Sequence, residues 1–239
     1  MDRKENRIYS LDLLRGIAVI LMVQQHTGYW FWNAGGDMGS LLSEYPVMVT
    51  INGLGGLAAP LFILLAGIGA ALSLAGGKSG RQLMLRGLMI IFFGYMLNIL
   101  TPAWFSPCSW YVLQLIGFGM CIAPVLSRLN SAALFTISAL IIFTTVFLLN
   151  AFNTHRYLSN EDMRGLCSIT GVIRLAAFEG HFPLFPWLAL FITGFASGRW
   201  IKEKLYANIV KAAILILSAA LMLFLIKQGN FSLLKNTFG

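Results

Sequence analysis

The chain has 239 residues, of which 58% are hydrophobic and only 11% charged, with a mean hydropathy of +0.77. A soluble globular domain carries about a quarter charged residues, so that class is excluded. The formal charge of +8 does not point to nucleic acid, because most Lys and Arg fall at the ends of long apolar runs, where they act as topology signals.

The runs are long enough to cross a bilayer, which takes about 20 residues. Seven spans are predicted, at 10–32, 48–76, 82–101, 110–127, 131–150, 184–200 and 207–227. The fold class is therefore an all-α, polytopic transmembrane helical bundle. The polar start "MDRKENRIY" and the lack of a small-residue cleavage site after the first apolar run argue against a cleavable signal peptide. Arg3, Lys4 and Arg7 precede the first span. Lys78, Arg81 and Arg86 follow the second, Arg128 the fourth, and Arg199, Lys202, Lys204 and Lys211 the sixth. The intervening links carry acids (Asp37, Glu44) or, in "TPAWFSPCSW", no charge. This alternation places the N-terminus in the cytoplasm. Trp30, Trp32, Trp104 and Trp110 then fall at outer ends, where amphipathic rings favour the headgroup level.

The one long link, 151–183, lies on the outer side. Within it Leu166, Ile169, Ile173 and Ala176 recur at helical intervals, which predicts a short interfacial helix. Cys108, Cys121 and Cys167 show no C-x-x-C spacing, so neither a metal knuckle nor a disulfide framework is expected; they read as small packing residues. No metal site is expected. No internal repeat or linker divides the chain, which reads as one domain, 1–239.

The first span, "SLDLLRGIAVILMVQQHTGYWFW", holds polar groups that are costly in hydrocarbon. At 100° per residue, Asp12, Arg15, Val19, Met22 and His26 form one stripe, with Arg15 and His26 about 16 Å apart along the axis. That stripe is expected to face a protein-lined groove. Asp12 and Arg15 make an i, i+3 pair. His26 reads either as a structural hydrogen-bonding group or as a proton-transfer group, since imidazole titrates near neutrality. In the second span, "INGLGGLAAPLFILLAGIGAALSLAGG", the small residues suit close helix packing, while Asn52 and Pro60 can open a cavity beside the first helix. A third cluster, "FEGHFPLFPW", sets Glu179 and His181 two apart before Pro183 and Pro186, with His181 on the same outer side as His26.

The stretch "SLDLLRGIAVILMVQQHTGYW" resembles the first catalytic helix of the heparan-α-glucosaminide N-acetyltransferase family, including its bacterial members. The blocks "AAPLFILLAGIGAALS", "YVLQLIGFGMCIAPVL" and "HFPLFPWLALFITGFASGRW" agree in order and spacing, so the resemblance covers about residues 7–201. It implies transfer of an acetyl group from cytoplasmic acetyl-CoA, as co-substrate, to an amine or hydroxyl of an extracytoplasmic sugar or glycolipid. On that reading His26 and His181 are the catalytic candidates. Asp12, Arg15, Lys78, Arg81 and Arg86 hold the CoA, and Asn52 and Glu179 contact the acceptor. The implied setting is a bacterial inner membrane, with the lipid bilayer as the other partner and homo-oligomerisation left open. Two rivals remain: a carrier for a small polar solute, which also needs a polar groove, and a non-catalytic remnant of the family.

Overall fold

The computed structural model describes residues 8–31, 41, 43–151 and 163–214. Arg3, Lys4, Arg7, Trp32, Asp37, the part of the long link at 152–162 and the seventh predicted span beyond residue 214 lie outside these. The chain forms two compact units, Met1–Gly198 and Arg199–Gly239, and the first holds every candidate site residue. No strand occurs among the described residues.

The helices follow the expected spans closely. α1 runs Tyr9–Phe31. The second span is broken: α2 (Pro46–Gly55) starts with Pro at its first position, and a turn at Gly56 and Leu57 separates it from α3 (Ala58–Ala75). α4 (Gly80–Leu100) is opened by a reciprocal cap in which Ser79 Oγ accepts from the Gln82 N–H and Gln82 Oε1 accepts from the Ser79 N–H, both at 3.2 Å. That box satisfies two of the helix's unpaired donors. Gly77, at a φ of 87°, turns the chain between α3 and α4, a conformation open to glycine at no steric cost.

α5 (Val112–Leu126) and α6 (Ser131–Ala151) follow. The predicted interfacial helix appears as α7 (Ile169–Arg174), which runs into a π-helical turn at Leu175–Glu179. Ile169 and Ile173 are 83% and 62% exposed. α8 (Leu184–Lys202) leaves helical geometry at Phe185, the residue before Pro186, where the proline ring disfavours the helical region. In the second unit, the Glu203 N–H reaches the Arg199 carbonyl and Lys204 takes a φ of 58° before helical residues 206–214.

Among the described residues three helical stretches are long and apolar enough to cross a membrane: Pro46–Ala75, Gly80–Leu100 and Leu184–Lys202. α1, at 23 residues, is long enough, but its own polar residues keep it out of that set. The core joins Ile63 of α3, Leu115 of α5, Leu134 of α6 and Phe191, Ile192 and Phe195 of α8. Without water between helices, close packing replaces the hydrophobic drive, and glycines provide it here. A side chain on Gly67 would meet the Phe191 carbonyl, and one on Gly194 the Leu64 carbonyl. Gly87 and Gly117 bring α4 and α5 together in the same way.

The cysteines correct the sequence reading. Cys108 and Cys167 form a disulfide across 59 residues, with Cα atoms 5.4 Å apart, and Cys121 alone is free. The bond joins the α4–α5 link to the α7 approach. Local spacing carries no signal for a pair brought together only by the packing of two links.

Candidate functional site

The N-terminal end of α1 carries the expected ion pair: Arg15 Nη1 donates to Asp12 Oδ1 at 3.1 Å, with both side chains partly exposed. The same guanidinium crosses to α3, where Nη2 lies 3.3 Å from the point a methyl group at Gly69 would occupy. Glycine at 69 makes room for it. Beside it lies a cavity of about 380 Å³ between α1, α3, α4 and α5, lined by Arg15 and Arg86 together with Phe62, Ala66, Ser73 and Met120 among others. Two guanidiniums on a largely apolar wall suit a ligand with phosphate at one end and an apolar arm. Lys78 and Arg81 are exposed and do not line this cavity.

The packed face of α1 is formed by the buried Leu11 and Ala18 with the half-buried Gln25, seven residues apart. The stripe ending at His26 lies about 40–120° around the helix from that face. It therefore runs along the shoulder of the interface: Arg15 reaches the cavity, whereas Val19, Met22 and His26 are exposed. His26 Nδ1 lies 2.7 Å from the Met22 carbonyl. Since a carbonyl can only accept, Nδ1 carries the proton and Nε2 is the basic nitrogen of the neutral ring.

Asn52 lies on α2 and faces Gln24 and Gln25 of α1. Its Oδ1 is 2.9 Å from where a methyl group at Gly28 would sit, and a side chain at Gly55 would collide with Gln24 Oε1 and Gln25 Oε1. All three amide oxygens are buried without a hydrogen-bond partner.

The other cluster is built by two links lying side by side. Gly180 packs on the Trp110 backbone, and the His181 ring stacks on Tyr111 with centroids 4.9 Å apart. His181 keeps part of its surface exposed, yet the desolvation of its ring by surrounding protein holds its pKa below the ordinary imidazole value. Glu179, 1% exposed, receives Arg174 Nη2 on Oε1 at 2.6 Å, and its Oε2 is buried without a partner. Trp110 Nε1 and Ser106 Oγ are buried and unpartnered too. The disulfide, the Ser109 hydroxyl on Met163 Sδ at 3.1 Å and a bond from Arg164 to the Pro102 carbonyl hold the two links together. Asn98 secures the base by donating Nδ2 to the Ser109 carbonyl at 2.9 Å.

The structure thus brings Arg15 to Arg86, and His181 to Tyr111, with Glu179 two residues away. His26 is held by its own helix. Sequence reasoning missed Tyr111, Trp110, Ser106 and Arg174 as parts of this second cluster. Their partners lie in another link, and no periodic signal connects the two.

The family described as heparan-alpha-glucosaminide N-acetyltransferase, catalytic, matches residues 7–234. No curated protein matches the chain, and no solved structure does.

Proposed function

The chain belongs to this family of membrane acetyltransferases, and from that premise we propose that it moves an acetyl group from cytoplasmic acetyl-CoA to an amine or hydroxyl of an extracytoplasmic sugar or glycolipid. The observation that carries the proposal is the cavity at the inner end of α1, where Arg15 and Arg86 meet an apolar wall. Planar guanidiniums bind phosphate bidentately, and the apolar lining suits the acyl-bearing arm. Asp12 orients Arg15 through its 3.1 Å contact, and the exposed Lys78 and Arg81 add positive charge on the link and first helical turn that lead to Arg86.

Two features support a cytoplasmic N-terminus. The short basic links alternate with uncharged or acidic ones. Independently, the Cys108–Cys167 bond joins two links that the charge pattern puts outside, and disulfides persist in oxidising compartments. The bacterial inner membrane is the setting this reading adopts.

In the reaction, His26 Nε2 takes a proton from the acceptor amine or hydroxyl as that atom attacks the thioester carbonyl. The tetrahedral adduct collapses, the C–S bond breaks, and the CoA sulfur leaves as a thiolate that is then protonated. The donor has to reach about 16 Å along α1 from Arg15 to His26. Glu179 and His181 flank the acceptor's approach, with His181 as the alternative base. The break between α2 and α3 is the feature that would suit the rival, a solute carrier.

Calorimetry with purified protein separates the two readings. Acetyl-CoA is expected to bind, more weakly as salt rises. Arg15→Ala and Arg86→Ala should each cost about 1.5–3 kcal/mol, the scale of a charged hydrogen bond. Absence of acetyl-CoA binding to the folded protein overturns the proposal in favour of the carrier.

A further inference from the structure

We infer that Phe62, at the closed end of the cavity beside Arg15, decides which acyl groups the donor can carry. The inference rests on the donor site proposed above and adds to it a selection by acyl size.

The cavity runs along one face of α3 from Ser73 to Phe62, about 16 Å at the helical rise. Its α3 wall changes in bulk along the way. Ser73, Ala70, Gly69 and Ala66 are small, and Leu65 and Phe62, which complete the wall, are large. No residue of α3 before Phe62 lines the space, and on α5 the lining stops at Ile116. α5 lies antiparallel to α4, with Pro124 against Gly80 and Gly117 against Gly87, so Ile116 lies towards the Phe62 end. The cavity is therefore open-walled beside the guanidiniums and closed at its far end by an aromatic ring and an isoleucine.

That end falls short of the proposed base. Arg15 lies against Gly69, and Gln24 and Gln25 lie against Gly55, so α1 runs antiparallel to α2 and α3. Phe62 is about two turns, or about 10 Å, from Gly69, whereas His26 is about 16 Å from Arg15 along α1. A donor held by phosphate at Arg15 and Arg86 has to pass its arm beyond Phe62 before the thioester reaches His26. The anchored end stays behind, so the acyl group goes first and meets the ring. Phe62 is able to yield: it is half-buried beside the open cavity, and the core that packs Ile116 and Met120 does not include it. A ring that moves aside for a methyl group and resists a larger one is a size filter. Apolar walls separate ligands that differ by one methylene by about 10–200-fold.

The test is calorimetric titration of the full chain in detergent with CoA, acetyl-CoA, isobutyryl-CoA and benzoyl-CoA, which reads the filter without an acceptor. Wild type should bind acetyl-CoA at least about ten-fold more tightly than benzoyl-CoA, with isobutyryl-CoA between them. Phe62→Ala should narrow that gap to about three-fold or less. Phe62→Leu, of intermediate bulk, should give an intermediate gap and serves if the Ala variant fails to fold. Arg86→Ala should weaken all four ligands alike, because it acts on the phosphate and not on the acyl group. Equal wild-type affinity for acetyl-CoA and benzoyl-CoA overturns the inference, and so does a gap that the Phe62 variants leave unchanged. A folded wild type that binds neither CoA nor acetyl-CoA is a different result: it overturns the donor site, and the filter with it.

Discussion

Removing the Arg174 guanidinium should expose how strongly the cluster around Glu179 depends on one ion pair. Arg174 Nη2 meets Glu179 Oε1 at 2.6 Å, the carboxylate is 1% exposed, and the arginine side chain is 54% exposed. Breaking a fully buried pair costs about 3–5 kcal/mol, because a charge is left uncompensated. An exposed pair is worth about 0–1 kcal/mol. With one partner buried and the other half in solvent, Arg174→Met should lie between, at about 2–3 kcal/mol. Glu179→Gln keeps the shape and an acceptor for Arg174 while removing the charge, so it should cost about 1 kcal/mol. The double variant leaves no stranded charge. It should be less destabilised than the sum of the two by about 1–2 kcal/mol, within the range for residues in contact. The assay is SDS-titrated unfolding in mixed micelles followed by circular dichroism. Additivity within about 0.5 kcal/mol would refute the reasoning and show that Glu179 is stabilised by something other than Arg174.

The remaining expectations concern the links and the two imidazoles. Cys108→Ser should destabilise the protein by about 4 kcal/mol on the chain-entropy relation applied to a 59-residue separation, and should change its mobility on a non-reducing gel; unchanged unfolding in reductant would remove the disulfide as a structural element. Burial depresses the pKa of His181 from 6.5, so the unfolded chain binds a proton more readily than the folded one. Stability should therefore fall as pH drops from about 6.5 through the folded-state value, and His181→Gln should flatten that slope; an unchanged slope would show that another group titrates. His26→Asn keeps a polar side chain that takes no proton at neutral pH. It should lower turnover by ~10²–10⁴ with acetyl-CoA affinity nearly unchanged, whereas near-normal turnover would transfer the base's role to His181.

Features local in sequence were legible, and features made by distant packing were not. The span limits followed from the length of the apolar runs. The Asp12–Arg15 pair followed from i, i+3 spacing, and the short helix at Ile169 from apolar periodicity. Arg15 and Arg86 were grouped through the family resemblance, but the cavity that both line needed α1, α3, α4 and α5 assembled around it. The stripe through His26 was visible, yet its distance from the buried face depended on Leu11, Ala18 and Gln25 packing inward. Gln25 packs as an amide in a position that hydropathy alone assigns to an apolar residue. Glu179 read as an acceptor contact two residues from His181, with nothing in the sequence to show that it is buried. Its burial comes from the π-helical turn and from Gly180 lying on Trp110, neither of which has a composition signal.

The central claim, acyl transfer across the membrane, is tested most directly in sealed proteoliposomes of known orientation. Acetyl-labelled acetyl-CoA is supplied to the N-terminal face, and a set of amine- and hydroxyl-bearing sugars is enclosed on the other. The account predicts label covalently attached to an enclosed sugar, abolished by Arg15→Ala and strongly reduced in His26→Asn. Label that stays entirely on CoA or is released only as acetate, with intact binding of acetyl-CoA and every acceptor enclosed, would contradict it.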